Sequence, residues 1–165
     1  MATSPRIAFT AVRTINGMGI ARQDFKEAAS TTFKAGAPLV VASGYANECG
    51  ADPALILGIA TKDGQGGSSA GDYSQTVIMA HPGTLFLGNL SNAADNAVTA
   101  QTDIMTGYGI LKHAGTGKWF VDKGETSNKR VQVWDFWLQD KEVIGDIRGR
   151  ILFSFDPDVS QAVQS

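Results

Sequence analysis

The stretch YGILKHAGTGKWFVDKGETSNKRVQVWDFWLQDKEVIGDIRGRILFSF, residues 108–155, decides the fold class. Short runs rich in β-branched and aromatic residues (GILKH, KWFVD, RVQVWDFWL, RILFSF) alternate with breaks built on Gly, Asp, Asn and Lys. Val131, Val133 and Phe136 are set among Arg130, Gln132 and Asp135, the pattern of a strand with one buried face. The rhythm predicts a small all-β domain.

Working back toward the N-terminus, the same punctuation continues. Ala35-Gly36-Ala37-Pro38 turns into the apolar run Leu39-Val40-Val41-Ala42, which Ser43-Gly44-Tyr45 ends. A second run, Leu55-Ile56-Leu57-Gly58-Ile59-Ala60, is followed by a polar, glycine-dense loop over residues 62–72. Thr76-Val77-Ile78-Met79-Ala80, the turn His81-Pro82-Gly83 and Thr84-Leu85-Phe86-Leu87 come next. Short strands at even spacing predict a compact sandwich or barrel-like domain. Residues 99–106 form the one expected short helix, with Thr99 as its cap and Gly107 as its end.

Residues 1–35 read differently, and the boundaries follow from that: an extended N-terminal arm over 1–35 and a β-domain over 36–165. Apolar residues in the arm are sparse and spaced (Ile7, Phe9, Val12, Ile15, Ile20, Phe25, Phe33). Ile7, Phe9 and Ala11 alternate as one short strand would, and residues 23–29 suit a helical turn; neither is long enough to stabilise itself. Spaced anchors on a weak scaffold are expected of a segment that orders against a partner. Ile7, Phe9, Val12, Ile15, Ile20 and Phe25 are therefore the expected interface residues.

Composition narrows the function classes. The chain has 165 residues, 43% hydrophobic and 18% charged, with 14 basic against 16 acidic residues and a net charge of −2. That balance lacks the basic excess of a nucleic-acid binder. Lone Cys49 permits neither an intrachain disulfide nor a cysteine-rich metal site, and two histidines make a zinc centre improbable. Met1-Ala-Thr-Ser-Pro-Arg lacks the apolar core of a secretory signal, and no apolar run approaches membrane-spanning length, so synthesis in a cytoplasm is expected.

Two motifs imitate chemistry without its context. GSSAG, residues 67–71, fits the G-x-S-x-G pattern, but a nucleophile at Ser69 needs a strand–turn–helix setting and a partner histidine. Neither His81 nor His113 is placed beside it by sequence. GTGK, residues 115–118, resembles a phosphate loop, yet Lys112 stands where the leading Gly belongs and Trp119 where a Ser or Thr belongs. A hairpin turn is the expectation there. No catalytic residue, metal ligand or cofactor site is expected, and the aspartates read as turn caps. Trp134 and Trp137 differ by an odd number, so a regular strand points one inward and the other, Trp137, toward an interface. A bulge turning both inward, or a second covering layer, would remove that contact.

The run FKAGAPLVVASGYANECGADPALILGIATKDG followed by HPGTLFLGNL resembles small structural proteins of tailed-bacteriophage heads. TDIMTGYGILKHAGTGKWFVDKGETSNKRVQVWDF and IGDIRGRILFSF continue the likeness, over about residues 33–155. The resemblance implies a capsid decoration, or cement, protein with a β-domain of the β-tulip type. Such proteins bind the outer surface of the expanded head, often as homotrimers, and clamp neighbouring major capsid subunits. It implies a virion location after synthesis in the host cytoplasm, no small-molecule substrate and no membrane or nucleic-acid partner. Two other readings stay open: another virion component, such as a tail, spike or minor head protein, and a β-domain binding a glycan or small ligand. Trp119 or Trp137 lining a cleft beside facing carboxylates would favour the last.

Overall fold

The computed structural model describes residues 1–138 and 143–162, and its regular structure is all β. Eleven strands run in chain order: β1 (Thr10–Thr14), β2 (Arg22–Lys26), β3 (Pro38–Ala42), β4 (Tyr45–Glu48), β5 (Gly58–Ala60), β6 (Ser74–Met79), β7 (Thr84–Ser91), β8 (Gly107–Lys112), β9 (Trp119–Asp122), β10 (Val131–Phe136) and β11 (Arg150–Phe155). Two 3-10 turns, Gln101–Asp103 and Pro157–Val159, complete the described elements.

Five strands close into a barrel in the order β7-β11-β10-β8-β9, and a parallel pairing of Leu90 with Val121 returns β9 to β7. Closure is possible because β7 is long and divides its free edge. Its first half pairs with β1 (Thr14 opposite Thr84), and its second half with β9. Inside, Phe153 meets Phe9 edge-on at 4.9 Å and stacks with Phe86 at 5.9 Å, while Phe155 packs edge-on against Phe86 at 5.0 Å. Such ring pairs contribute about 0.5–1.5 kcal/mol each beyond their buried area. Gly88 makes room for this cluster, since a Cβ there would lie 2.6 Å from the Phe9 ring.

The second sheet has the order β2-β6-β5-β3-β4. Gly58 lets β5 approach β6 closely; a Cβ would stand 2.0 Å from the Ile78 carbonyl oxygen. An isolated parallel bridge between Glu27 and Ala46 draws the two outer strands of this sheet together. One continuous core, from Phe9 through Ile59 and Val77 to Val159, joins sheet and barrel. Polar ties reinforce the joint. Glu48 on β4 accepts from Trp119 Nε1 at 3.0 Å and from Lys112 Nζ at 2.8 Å. The C-terminal turn crosses to the second sheet, where Gln161 bonds both backbone groups of Val41.

The structure departs from the sequence reading at four places. Residues 23–29 are not helical: Arg22–Lys26 is a strand paired with β6, which sets Phe25 and Glu27 inward. Tertiary pairing overrides a weak local preference there. The helix expected over residues 99–106 shrinks to one 3-10 turn. Asp103 rather than Thr99 caps it, accepting from Ala100 N at 2.7 Å, while Thr99 Oγ1 accepts from Gly145 N. Ser43 and Gly44 do not merely end a strand. Both have positive φ (52° and 83°), the requirement of a two-residue hairpin, and they lead into β4. Finally, residues 1–35 do not stand apart as an arm. They supply β1 and β2, and Phe9 and Phe33 lie in the same core as the rest of the chain. Further back, Arg6 pairs with Asp95 and lies 5.5 Å over the Phe120 ring, and Asn89 bonds both Ile7 N and the Pro5 carbonyl.

Candidate functional site

Two irregularities in the barrel strands create the main surface feature. In β1 the register passes from Ala11 opposite Phe86 to Arg13 opposite Leu85, leaving Val12 as an extra residue. In β10 it passes from Val133 opposite Phe153 to Asp135 opposite Leu152, leaving Trp134 as the extra one. A bulge resets the alternation of faces and re-aims the side chains beside it. This explains why Val133 and Phe136, three apart, are both buried: the bulge between them absorbs the odd step. Trp134 and Asp135 are left on the outer face of the barrel.

Between the bulges lies a groove of about 430 Å3. Its floor is Leu85 and Leu152, which are buried but lie outside the continuous core. Arg13 and Ile15 form one wall, Trp134 and Asp135 the other. The indole is fixed, because Trp134 Nε1 donates to Ser154 Oγ at 2.9 Å. Asp135 Oδ1 accepts from the next amide, Phe136 N, at 2.8 Å. Arg13 and Asp135 form no ion pair among the described residues. The groove thus presents an immobilised aromatic ring, an aliphatic floor and two uncommitted opposite charges. A second, smaller hollow beside it includes Met18, His81 and Pro82.

The interface residues expected from sequence scatter. Phe9 is 2% exposed and belongs to the barrel core, so it is unavailable to a partner. Ile20 and Phe25 pack against the core from its margin, and Ile7 is half-buried with its amide on Asn89. Val12 is the half-buried extra residue of the β1 bulge. Ile15 alone of that set is strongly exposed, at 52%, and sits on the connector from β1 to β2 beside Met18 at 69%. Trp137 is half-buried and prolongs β10, donating its amide to the Arg150 carbonyl. The tryptophan that lines a groove is Trp134, while Trp119 is buried on Glu48. The irregular spacing Val133-x-x-Phe136 was the sequence signal for this site.

The motif imitations resolve into turns. Ser69 lies in the loop before β6, its amide donating to Asp72 Oδ2 at 2.8 Å. His81 and His113 contact Pro82 O and Thr116 Oγ1, each within its own turn. GTGK closes the β8–β9 hairpin through Gly117 N to His113 O at 2.8 Å. Burial, with Glu48 beside it, pushes the Cys49 thiol up to about 12, so it is protonated and unreactive at neutral pH. Among the described residues no cluster of three or more His, Cys, Asp or Glu is placed to hold a metal ion, and no helix is long and apolar enough to cross a membrane. No protein-family model matches the chain, and no curated protein matches it.

Proposed function

We propose that this protein is a structural component of a tailed-bacteriophage virion. On this reading it decorates the outer surface of the head, as a homotrimer, and clamps neighbouring major capsid subunits. The observation that carries the reading is the placement of residues 10–26. They supply an outermost strand to each sheet, β1 and β2, and join them by a connector that exposes Ile15 and Met18. Outer strands offer backbone donors and acceptors to an added strand, and exposed apolar side chains between them supply anchors. Repetition over many copies converts a weak single contact into a stable shell. The sequence resemblance supplies the particle.

The test mixes purified protein with heads that lack it and follows co-sedimentation and the heads' resistance to heat. Deleting residues 1–35 would remove Phe9 and Phe33 from the core, so the informative variant is the double substitution Ile15→Asp and Met18→Asp, with fold checked by circular dichroism. Saturable binding that protects heads, lost in the folded double variant, is the expected result. Binding to tails rather than heads, or to neither, overturns the proposal.

A further inference from the structure

We propose that the groove between the two bulges is a binding site for one neutral pyranose ring of a glycan. The inference does not rest on the capsid reading, because the groove lies on the outer face of the barrel and needs no partner to complete it, although Ile15 belongs both to its wall and to the proposed capsid contact.

Three features select this ligand class. First, the size suffices: an open groove of about 430 Å3 has room for a single sugar ring seated from solvent. Second, the chemistry is amphiphilic in the way a sugar is. A pyranose has an apolar C–H face and a polar rim. Here the indole of Trp134, with the aliphatic floor of Leu85 and Leu152, meets the face. Arg13 on one wall can donate to ring hydroxyls, and the free oxygen of Asp135 on the other can accept from them. Both are committed to no ion pair among the described residues. Their charges cancel, which favours a neutral sugar over a uronic or sialic acid.

Third, the backbone under the groove argues against a peptide. The groove crosses the face of the sheet from β1 over β7 and β11 to β10, and apart from the outer edge of β1 those strands spend their amides and carbonyls on their neighbours in the sheet. A peptide laid across that face would bury its own N–H and C=O groups without partners, at a cost of about 1–3 kcal/mol for each. A sugar carries no such obligation. The site is also pre-organised: Trp134 is held by Ser154, and each bulge fixes the wall it belongs to.

The test uses the full-length 15N-labelled protein and follows the indole N–H resonance of Trp134 during titration with lactose, maltose and N-acetylglucosamine. Trp119, whose indole N–H is buried on Glu48, is the internal reference, and glycerol at equal concentration controls for bulk effects. A saturable shift of the Trp134 signal with at least one sugar is expected, with Trp119 unmoved. Arg13→Ala, and separately Asp135→Asn, should weaken binding by about tenfold or more, the loss typical of one hydrogen bond to a charged group. Asp135→Asn retains an acceptor for Phe136 N, so it leaves the bulge intact. The proposal is overturned if no sugar moves Trp134, if glycerol moves it equally, or if both variants bind unchanged. A shift produced by the blocked peptide Ac-Lys-Leu-Glu-NH2 and by no sugar would also overturn it, and would make the groove a protein contact.

Discussion

The barrel and the second sheet solve the problem of sheet edges by different means. The barrel closes by a backbone ladder, β9 returning to β7, around interlocked phenyl rings of Phe9, Phe86, Phe153 and Phe155. The second sheet closes at a single point, the backbone bridge of Glu27 to Ala46, and a buried carboxylate sits beside it. Glu27 is 1% exposed, its Oε2 accepting from Thr31 Oγ1 at 3.0 Å and Gln65 N at 2.8 Å. Its backbone donates to Tyr73 O and accepts from Gly71 N, so it ties both ends of the loop over residues 62–72, which Phe33 O and Ser30 N also hold at Gly64 and Gly67. Apolar packing shared among many rings makes a unit that opens all at once. A polar clip makes one that can open locally, and the two halves should therefore differ in how they fail.

The sharpest way to break the contrast is in the barrel. Phe153→Ala removes the ring that touches Phe9, Phe86 and Phe155, and large core truncations cost about 3–5 kcal/mol. Urea unfolding should show one transition, shifted as a whole; a loss under about 1 kcal/mol would mean that the rings do not anchor the barrel. Glu27→Ala should do something different. It strands the Gln65 amide and the Thr31 hydroxyl, at about 1–3 kcal/mol. Hydrogen exchange should lose protection over residues 62–72 and β2 while β10 and β11 stay protected. A loss spread evenly over both sheets would refute the idea of a local clip.

Acid should act on the barrel side through the segment before β1. Burial works to raise the Asp95 carboxyl, but hydrogen bonds from Arg6 and Ser91 and the charges of Arg6 and Arg148 outweigh it and hold it below the ordinary range. The amides of Val143 and Ala2 hold Asp146 low in the same way. A carboxyl depressed on folding contributes stability that is present above its unfolded value of about 3.9 and is lost as pH falls through the folded value. Protection at residues 4 and 7 should accordingly fall below about pH 4. In Asp95→Asn that acid dependence should be weaker; an unchanged profile would remove Asp95 from the account.

How much of this was legible follows the same division. The barrel strands β8 to β11 carry their own alternation, so Val131, Val133 and Phe136 could be placed inward from sequence alone. The second sheet was harder because its signals are not local. Arg22-Gln23-Asp24-Phe25-Lys26 has no strong strand preference, and only pairing with β6 makes it a strand. Glu27, an acidic residue, gives no sign in sequence that it will be buried beside its sheet and bonded to Thr31 and Gln65. Of the groove, Trp134 was visible as one of an oddly spaced pair with Trp137, but its meeting with Arg13 depends on β1 lying along β7, a contact across more than seventy positions of chain. Ile15 and Phe9 were read alike as candidate anchors; Ile15 is exposed, and Phe9 was not distinguishable from it until the barrel was seen to need a fourth ring.

The gentlest test of the contrast leaves the sequence untouched. Cys49 follows β4, with its amide on the Pro38 carbonyl and its Sγ 3.8 Å from the Leu55 carbonyl oxygen. Its thiol is protonated at pH 8 because burial pushes it to about 12, so a thiol reagent can react only when the second sheet opens. Labelling with DTNB at pH 8 should therefore be slow in the native protein and complete in denaturant. If the clip governs local opening, Glu27→Ala should speed labelling well beyond what its shift in the global urea midpoint accounts for. In Phe153→Ala, the rate should rise only in step with that midpoint. Equal acceleration in both, scaled to stability, would mean that sheet and barrel open together and that the Glu27 carboxylate beside the bridge to Ala46 does not govern local opening.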